Sequence, residues 1–184
     1  AIGNGGVDNS FFYKSPDLMD GLNVTFSYNP QTATEKGESG YGVNFTGMEG
    51  LSLSYAFSDE ETQAGTDTSG DNTVISASYA YGPVTVSYSQ MDHDEGLSTG
   101  ANDVEITSYA LSYTVSDELS VTYGSETSDK GNATTDLEVD GIKVSYTTGG
   151  MTISANSMSI ENGNYGTGNE EDVDYWKLGA SFAF

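Results

Sequence analysis

The sequence predicts an all-β chain, an antiparallel transmembrane β-barrel with about eleven strands, and three observations carry that expectation. The first is the stretch Val173 to Phe184, where Trp176, Leu178, Ala180, Phe182 and Phe184 alternate with Lys177, Gly179, Ser181 and Ala183. Successive strand residues point to opposite sides of a sheet, so these five residues form one wholly apolar face. Lipid, not water, covers such a face in an outer-membrane barrel. The second is that the same alternation returns along the whole chain between turn signals. The third is composition: 13 Tyr and 23 Gly against 3 Pro in 184 residues suit strands and turns. Mean hydropathy is −0.41, and no segment approaches the roughly 20 apolar residues of a spanning helix. That excludes a helical membrane protein but not a barrel, whose apolar half is hidden in alternation.

Each strand has its own signature. Asn9 to Lys14 opens the series. Leu22, Val24, Phe26 and Tyr28 mark the second strand, and Tyr41, Val43 and Phe45 the third. Leu51, Leu53, Tyr55 and Phe57 define the fourth, Ile75, Ala77, Tyr79 and Tyr81 the fifth, and Val84, Val86 and Tyr88 the sixth. Tyr109, Leu111 and Tyr113 follow, then Leu119, Val121 and Tyr123, then Ile142, Val144 and Tyr146. Met151, Ile153 and Ala155 precede the terminal strand. Short turns fall at Gly47 to Gly50, Gly82-Pro83, Ser116 to Glu118 and Thr148 to Gly150. Long polar loops are expected at Asn29 to Gly40, Asp59 to Asn72, Met91 to Asp103, Glu126 to Asp136 and Glu161 to Asp172. Short turns at one end and long loops at the other are the pattern of an up-and-down membrane barrel, with the short turns periplasmic.

On this layout Phe45, Tyr81, Tyr113, Tyr146 and Phe184 form an aromatic belt near the short turns, and Tyr28, Tyr41, Tyr55, Tyr88, Tyr123 and Trp176 a second belt nearer the loops. Amphipathic rings favour the headgroup level at both membrane surfaces. The opposite face carries Lys14, Asn23, Thr25, Asn44, Ser52, Ser54, Ser76, Ser78, Thr85, Ser87, Ser108, Ser112, Thr122, Lys143, Ser145, Ser154, Asn156 and Lys177 as the expected pore lining. Side chains this short leave the interior of a barrel to water. The expectation is a channel for passive diffusion of small hydrophilic solutes and ions. A long loop precedes the last strand, which puts the terminus on the periplasmic side. Counted back, the first strand then starts on the outer side. Single-chain bacterial barrels have an even strand number, so further amino-terminal strands are expected to precede Ala1.

The residues at the two ends carry a family resemblance. Gly6-Val7-Asp8-Asn9-Ser10, then Tyr13, Ser15-Pro16 and Gly21-Leu22, resembles the segment that follows the constriction loop of general diffusion porins of Gram-negative bacteria. Gly179-Ala180-Ser181-Phe182-Ala183-Phe184 resembles their carboxyl-terminal assembly signal. The resemblance implies a sixteen-stranded barrel that assembles as a homotrimer in outer-membrane lipid. Residues 1–184 would be a single barrel domain, strands six to sixteen, with the constriction loop in the missing amino-terminal part. One feature departs from the family: all five basic residues, Lys14, Lys36, Lys130, Lys143 and Lys177, are Lys, so the usual Arg cluster is absent. Lys14, Lys143 and Lys177 would be a sparse substitute for it.

Net charge is −23, placed by this reading in the loops: Asp59, Glu60, Glu61, Asp67 and Asp71; Asp92, Asp94 and Glu95; Glu170, Glu171, Asp172 and Asp174. A negative vestibule concentrates cations, so weak cation selectivity is expected, and nucleic acid is excluded as a partner. No cofactor is implied. Weak Ca²⁺ binding at the acidic extracellular loops is the one metal role the carboxylates suggest, although no loop has EF-hand spacing. No enzyme is expected. His93 is the single His, and between Asp92 and Asp94 on a loop it reads as solvated rather than catalytic. Two other classes are compatible with the alternation: a non-conducting anchoring or adhesion barrel, and a soluble β-rich binding module that buries its apolar face under a second sheet.

Overall fold

The computed structural model describes residues 10–30, 37–60, 69–96, 99–166 and 172–183. They form eleven strands: β1 (Phe11–Lys14), β2 (Leu22–Asn29), β3 (Glu38–Phe45), β4 (Leu51–Glu60), β5 (Asp71–Tyr81), β6 (Val84–Asp94), β7 (Val104–Thr114), β8 (Leu119–Lys130), β9 (Leu137–Thr148), β10 (Met151–Glu161) and β11 (Val173–Phe182). All lie in one sheet in chain order, each beside its sequence neighbours. One 3₁₀ turn, η1 (Gly163–Tyr165), interrupts the series, and no described helix is long and apolar enough to cross a membrane. By its contacts the chain divides into two compact units, one of residues 1–77, 89–105 and 130–132, the other of 78–88, 106–129 and 133–184.

Across β1–β4 and β8–β11 the register keeps the predicted stripes intact. Phe26 pairs with Tyr41, which pairs with Phe57, and Val24 with Val43, which pairs with Tyr55. Tyr123 pairs with Ile142, and Ile153 with Tyr146 and Ala180. A slip of one residue would turn each stripe to the other face. The turns hold that register. Gly149 and Gly150 both have positive φ, 54° and 81°, as a two-residue hairpin matched to strand twist requires. Gly21, at φ 69°, approaches the backbone so closely that an added Cβ would lie 2.2 Å from Gly47 N.

Among the described residues no hydrophobic side chain is buried. Trp176 is 78% exposed, Leu178 64% and Phe182 59%. Among the described residues no second sheet covers the stripe, as the soluble-module reading would require.

Three expectations need correction. His93 lies on strand β6, not in a loop, because β6 runs on to Asp94. β8 likewise continues to Lys130 and β9 begins at Leu137, leaving a shorter connection than expected. Much of the acidity expected in loops therefore sits on strands, at Asp59, Asp71, Asp92, Asp94 and Asp174. The ladder persists past the apolar band because backbone pairing does not depend on what the outward side chains meet. Glu61, Asp67, Glu170, Glu171, Lys36 and Phe184, with the opening Gly6 to Asn9, lie outside the described residues.

Candidate functional site: the polar face of the sheet

Cross-strand pairing gathers the predicted polar positions on one face. Asn23 pairs with Asn44 and Asn44 with Ser54. Asn44 Nδ2 donates to Asn23 Oδ1 at 3.3 Å, and the Ser54 and Ser76 hydroxyls are 2.6 Å apart. Ser78 is two residues beyond Ser76 on β5, and Ser52 two before Ser54 on β4, so both keep this face. Lys14 pairs with Thr25 on β1 and β2. Towards the loop end Asn72 Nδ2 donates to Ser58 Oγ at 3.4 Å and Asn72 Oδ1 lies 2.7 Å from His93 Nδ1. His93 shares its side of β6 with Thr85 and Ser87. Its ring is held by an amide, not by Asp92 or Asp94, so no nucleophile is prepared there.

In the second unit Ser112 and Thr122 hydroxyls are 2.9 Å apart, and Ser108 Oγ donates to Glu126 Oε2 at 2.8 Å. Thr122 pairs with Lys143, Lys143 with Asn156, and Asn156 with Lys177. Ser145 pairs with Ser154, and Ser154 with Gly179. Two of the three predicted lysines thus stand in one row with an amide between them; Lys14 belongs to the other unit. Immediately above that row Gly124 pairs with Gly141. Two adjacent positions without side chains leave a hollow of about 710 Å³, lined among others by Thr122, Glu126, Val139, Lys143, Asn156, Met158, Tyr175 and Lys177.

The apolar face carries the aromatic residues. Phe45, Tyr81, Tyr113 and Tyr146 lie at the short-turn ends of their strands and Tyr28, Tyr41 and Trp176 nearer the loop ends, whereas Tyr55, Tyr88 and Tyr123, expected nearer the loops, stand near mid-strand. Neighbouring rings touch, with centroids 5.3 Å apart for Phe26 and Tyr41 and 5.2 Å for Tyr88 and Tyr109. Above this band the same face turns acidic, with Asp59, Asp71, Asp92, Asp94, Glu105, Asp129, Glu138, Asp140, Glu161 and Asp174 in its alternation. Tyr123 marks the boundary by donating its hydroxyl to Asp140 Oδ1 at 2.6 Å. The polar face of the described strands holds only Glu38, Glu60 and Glu126 against Lys14, Lys130, Lys143 and Lys177. Strand carboxylates therefore collect on the outward face.

Asp71 opens β5, above the apolar run that begins at Ile75. Partial burial, then the charges of Asp94 and Asp59, hold its carboxyl above the ordinary range, against a smaller lowering by His93. Among the described residues no three His, Cys, Asp or Glu side chains come together as a metal site.

Sequence reasoning missed the loop-side inner positions of β9 to β11, where Val139, Met158, Ile160, Val173 and Tyr175 share the face of Lys143 and Lys177. The signal was present as unbroken alternation, but its apolar members had changed sides.

A one-sheet array of antiparallel strands, with an exposed apolar stripe between aromatic residues and a small polar opposite face, is an outer-membrane β-barrel fold, and its location is the bacterial outer membrane. A family model for Gram-negative porins matches residues 1–137. The chain belongs to that family. No curated protein sequence matches it. Among solved structures it is similar to an anion-selective porin from Comamonas acidovorans, at 19% identity and a TM-score of 0.71, over 96% of this chain and 59% of that one. It is also similar to the outer-membrane-expressed OmpT of Vibrio cholerae, at 14% identity and a TM-score of 0.63, over 94% of this chain and 64% of that one. The trimer form of in-vitro folded OmpT aligns at 15% identity and a TM-score of 0.62, over 94% of this chain and 64% of that one. The chain thus spans less than two thirds of these solved chains.

Proposed function

We propose that the protein forms a water-filled channel for passive diffusion of small hydrophilic solutes and ions, as a homotrimer in outer-membrane lipid, with no catalytic role. The observation that carries this reading is the polar face, where Ser, Thr, Asn and Gly recur on strand after strand. Side chains of that size cannot close a barrel interior, and water occupies what they leave. The eleven strands are then the carboxyl-terminal part of a sixteen-stranded layout. The trimer has its support in the trimer form of OmpT.

Selectivity has two readings, each with its own observation. The loops and the net charge of −23 support weak cation selectivity, and weak Ca²⁺ binding at the acidic loops rests on the same charge. The placement of strand carboxylates on the outward face, with four Lys against three Glu on the polar face, supports a wall that favours anions. Planar-bilayer conductance of the natively purified protein under a potassium chloride gradient tests both. Stable steps are expected. A cation-directed reversal potential assigns selectivity to the rim, and an anion-directed one to the wall lysines. Correctly folded protein that yields no steps overturns the channel and favours the anchoring barrel.

A further inference from the structure

The hollow above the lysine row combines features that a wall for water and simple ions does not need. Its lower edge is the row Lys143, Asn156 and Lys177, with the two lysine Cα atoms about 10 Å apart at two strand spacings. Its floor is bare backbone at Gly124 and Gly141. Its upper side is apolar: Met158 packs against Gly141, where an added Cβ would meet Met158 Cγ at 3.1 Å. Tyr175 fixes that thioether by donating its hydroxyl to Met158 Sδ at 2.8 Å. At about 710 Å³ the hollow has the size of a small-molecule pocket.

We infer that this hollow is a binding station for small amphipathic monocarboxylates, solutes with one carboxylate and an apolar or aromatic body. The carboxylate sits between the ammonium groups of Lys143 and Lys177, with the Asn156 amide as a further donor. The body lies over the glycine floor against Met158 and Tyr175, where thioether and ring contacts suit flat apolar groups. Charge decides the valence. Two lysines against the one carboxylate of Glu126, itself held by Ser108, leave a single surplus positive charge, which matches a monoanion. The inference deepens the channel reading by naming a solute class for the same face.

Equilibrium binding of radiolabelled benzoate to the folded, natively purified protein in detergent, corrected for empty micelles, tests it, with acetate as the competitor that lacks a body. Conductance in potassium chloride is recorded on the same preparation, so that failure of the channel and failure of the station are read separately. The expected result is saturable benzoate binding that acetate displaces at least tenfold less well than unlabelled benzoate. Two variants divide the contributions. The double variant Lys143→Gln/Lys177→Gln removes charge and keeps volume. Gly124→Leu fills the hollow and keeps charge; its Cβ would meet only Tyr109 O, at an ordinary 3.7 Å. Each folded variant is expected to bind benzoate at least tenfold more weakly. No saturable binding by folded wild type, equal displacement by acetate, or wild-type affinity in both variants overturns the inference.

Discussion

The loop-side thirds of β2–β4 and of β9–β11 have the same backbone and opposite chemistry on the inner face. In the first region the polar face stays polar to its end, with Ser27, Gly40 and Ser58 in one row and Ser58, 2% exposed, bonded to Asn72. In the second, the corresponding inner rows carry Val139, Ile160 and Val173, then Gly141, Met158 and Tyr175. The outward rows do not reverse: Phe26, Tyr41 and Phe57 give way to Tyr28, Ser39 and Asp59 in one region, and Ile142, Ser157 and Trp176 to Asp140, Ser159 and Asp174 in the other. The difference teaches that period and polarity have separate causes. Period two belongs to the extended backbone. Polarity belongs to the medium each face meets, so it inverts where longer strands leave the lipid.

The sharpest way to break this comparison is to place a charge on either side of the proposed boundary on one strand. Leu178→Arg, in the apolar band of β11, is expected to destabilise the folded protein in lipid by about 2–4 kcal/mol, whereas Asp174→Arg, above the band, should cost about 0–1 kcal/mol. Urea unfolding in vesicles checks both, and equal costs would mean that the band does not end between them.

A smaller effect separates the two inner rows. Ser58→Leu must find room at a position that has none, and is expected to cost about 1–3 kcal/mol. Ile160→Leu, a swap of equal volume, should cost less than about 1.5 kcal/mol. Melting temperatures of the two variants decide this, and a tolerated leucine at Ser58 would place the two regions in one class.

Smaller again is the polar relay of the first region. Asn72→Ala removes the partners of both Ser58 and His93 and should cost on the order of 1 kcal/mol. The imidazole resonances of His93 should shift with it, and an unmoved spectrum would separate His93 from the relay.

The smallest expected effect is electrostatic. Asp71 has its folded-state value raised by burial and by Asp94 and Asp59, so the native state holds its proton more tightly than the unfolded chain does. Stability then falls as pH rises above the ordinary 3.8, because the native state binds more protons in that window. Asp71→Asn is expected to raise the melting temperature at pH 7 and to change nothing below 3.8. A gain that persists in acid would assign the effect to packing.

The membrane-spanning part of each strand was legible because lipid imposes one rule there. Leu22 to Tyr28, Leu51 to Phe57 and Trp176 to Phe182 each carry uninterrupted apolar alternation, and each folds into the strand it predicts. Past the boundary that rule lapses. The polar run from Met91 to Asp94 read as loop, yet β6 continues through it, because a ladder needs backbone partners and not apolar side chains. Lys143 and Lys177, 34 positions apart in the chain, read only as members of a sparse basic set with Lys14; pairing of both with Asn156 made them neighbours.

By itself the sequence determined the all-β class, the number and order of the strands, and the apolar and polar faces, since each follows from side-chain alternation within a few consecutive residues. Only the tertiary structure decided where strands outlast the lipid, which charges turn outward, and that Gly124 and Gly141 leave a hollow beside two lysines. Those outcomes depend on cross-strand register, which joins residues far apart in the chain and leaves no mark on the alternation of any one strand.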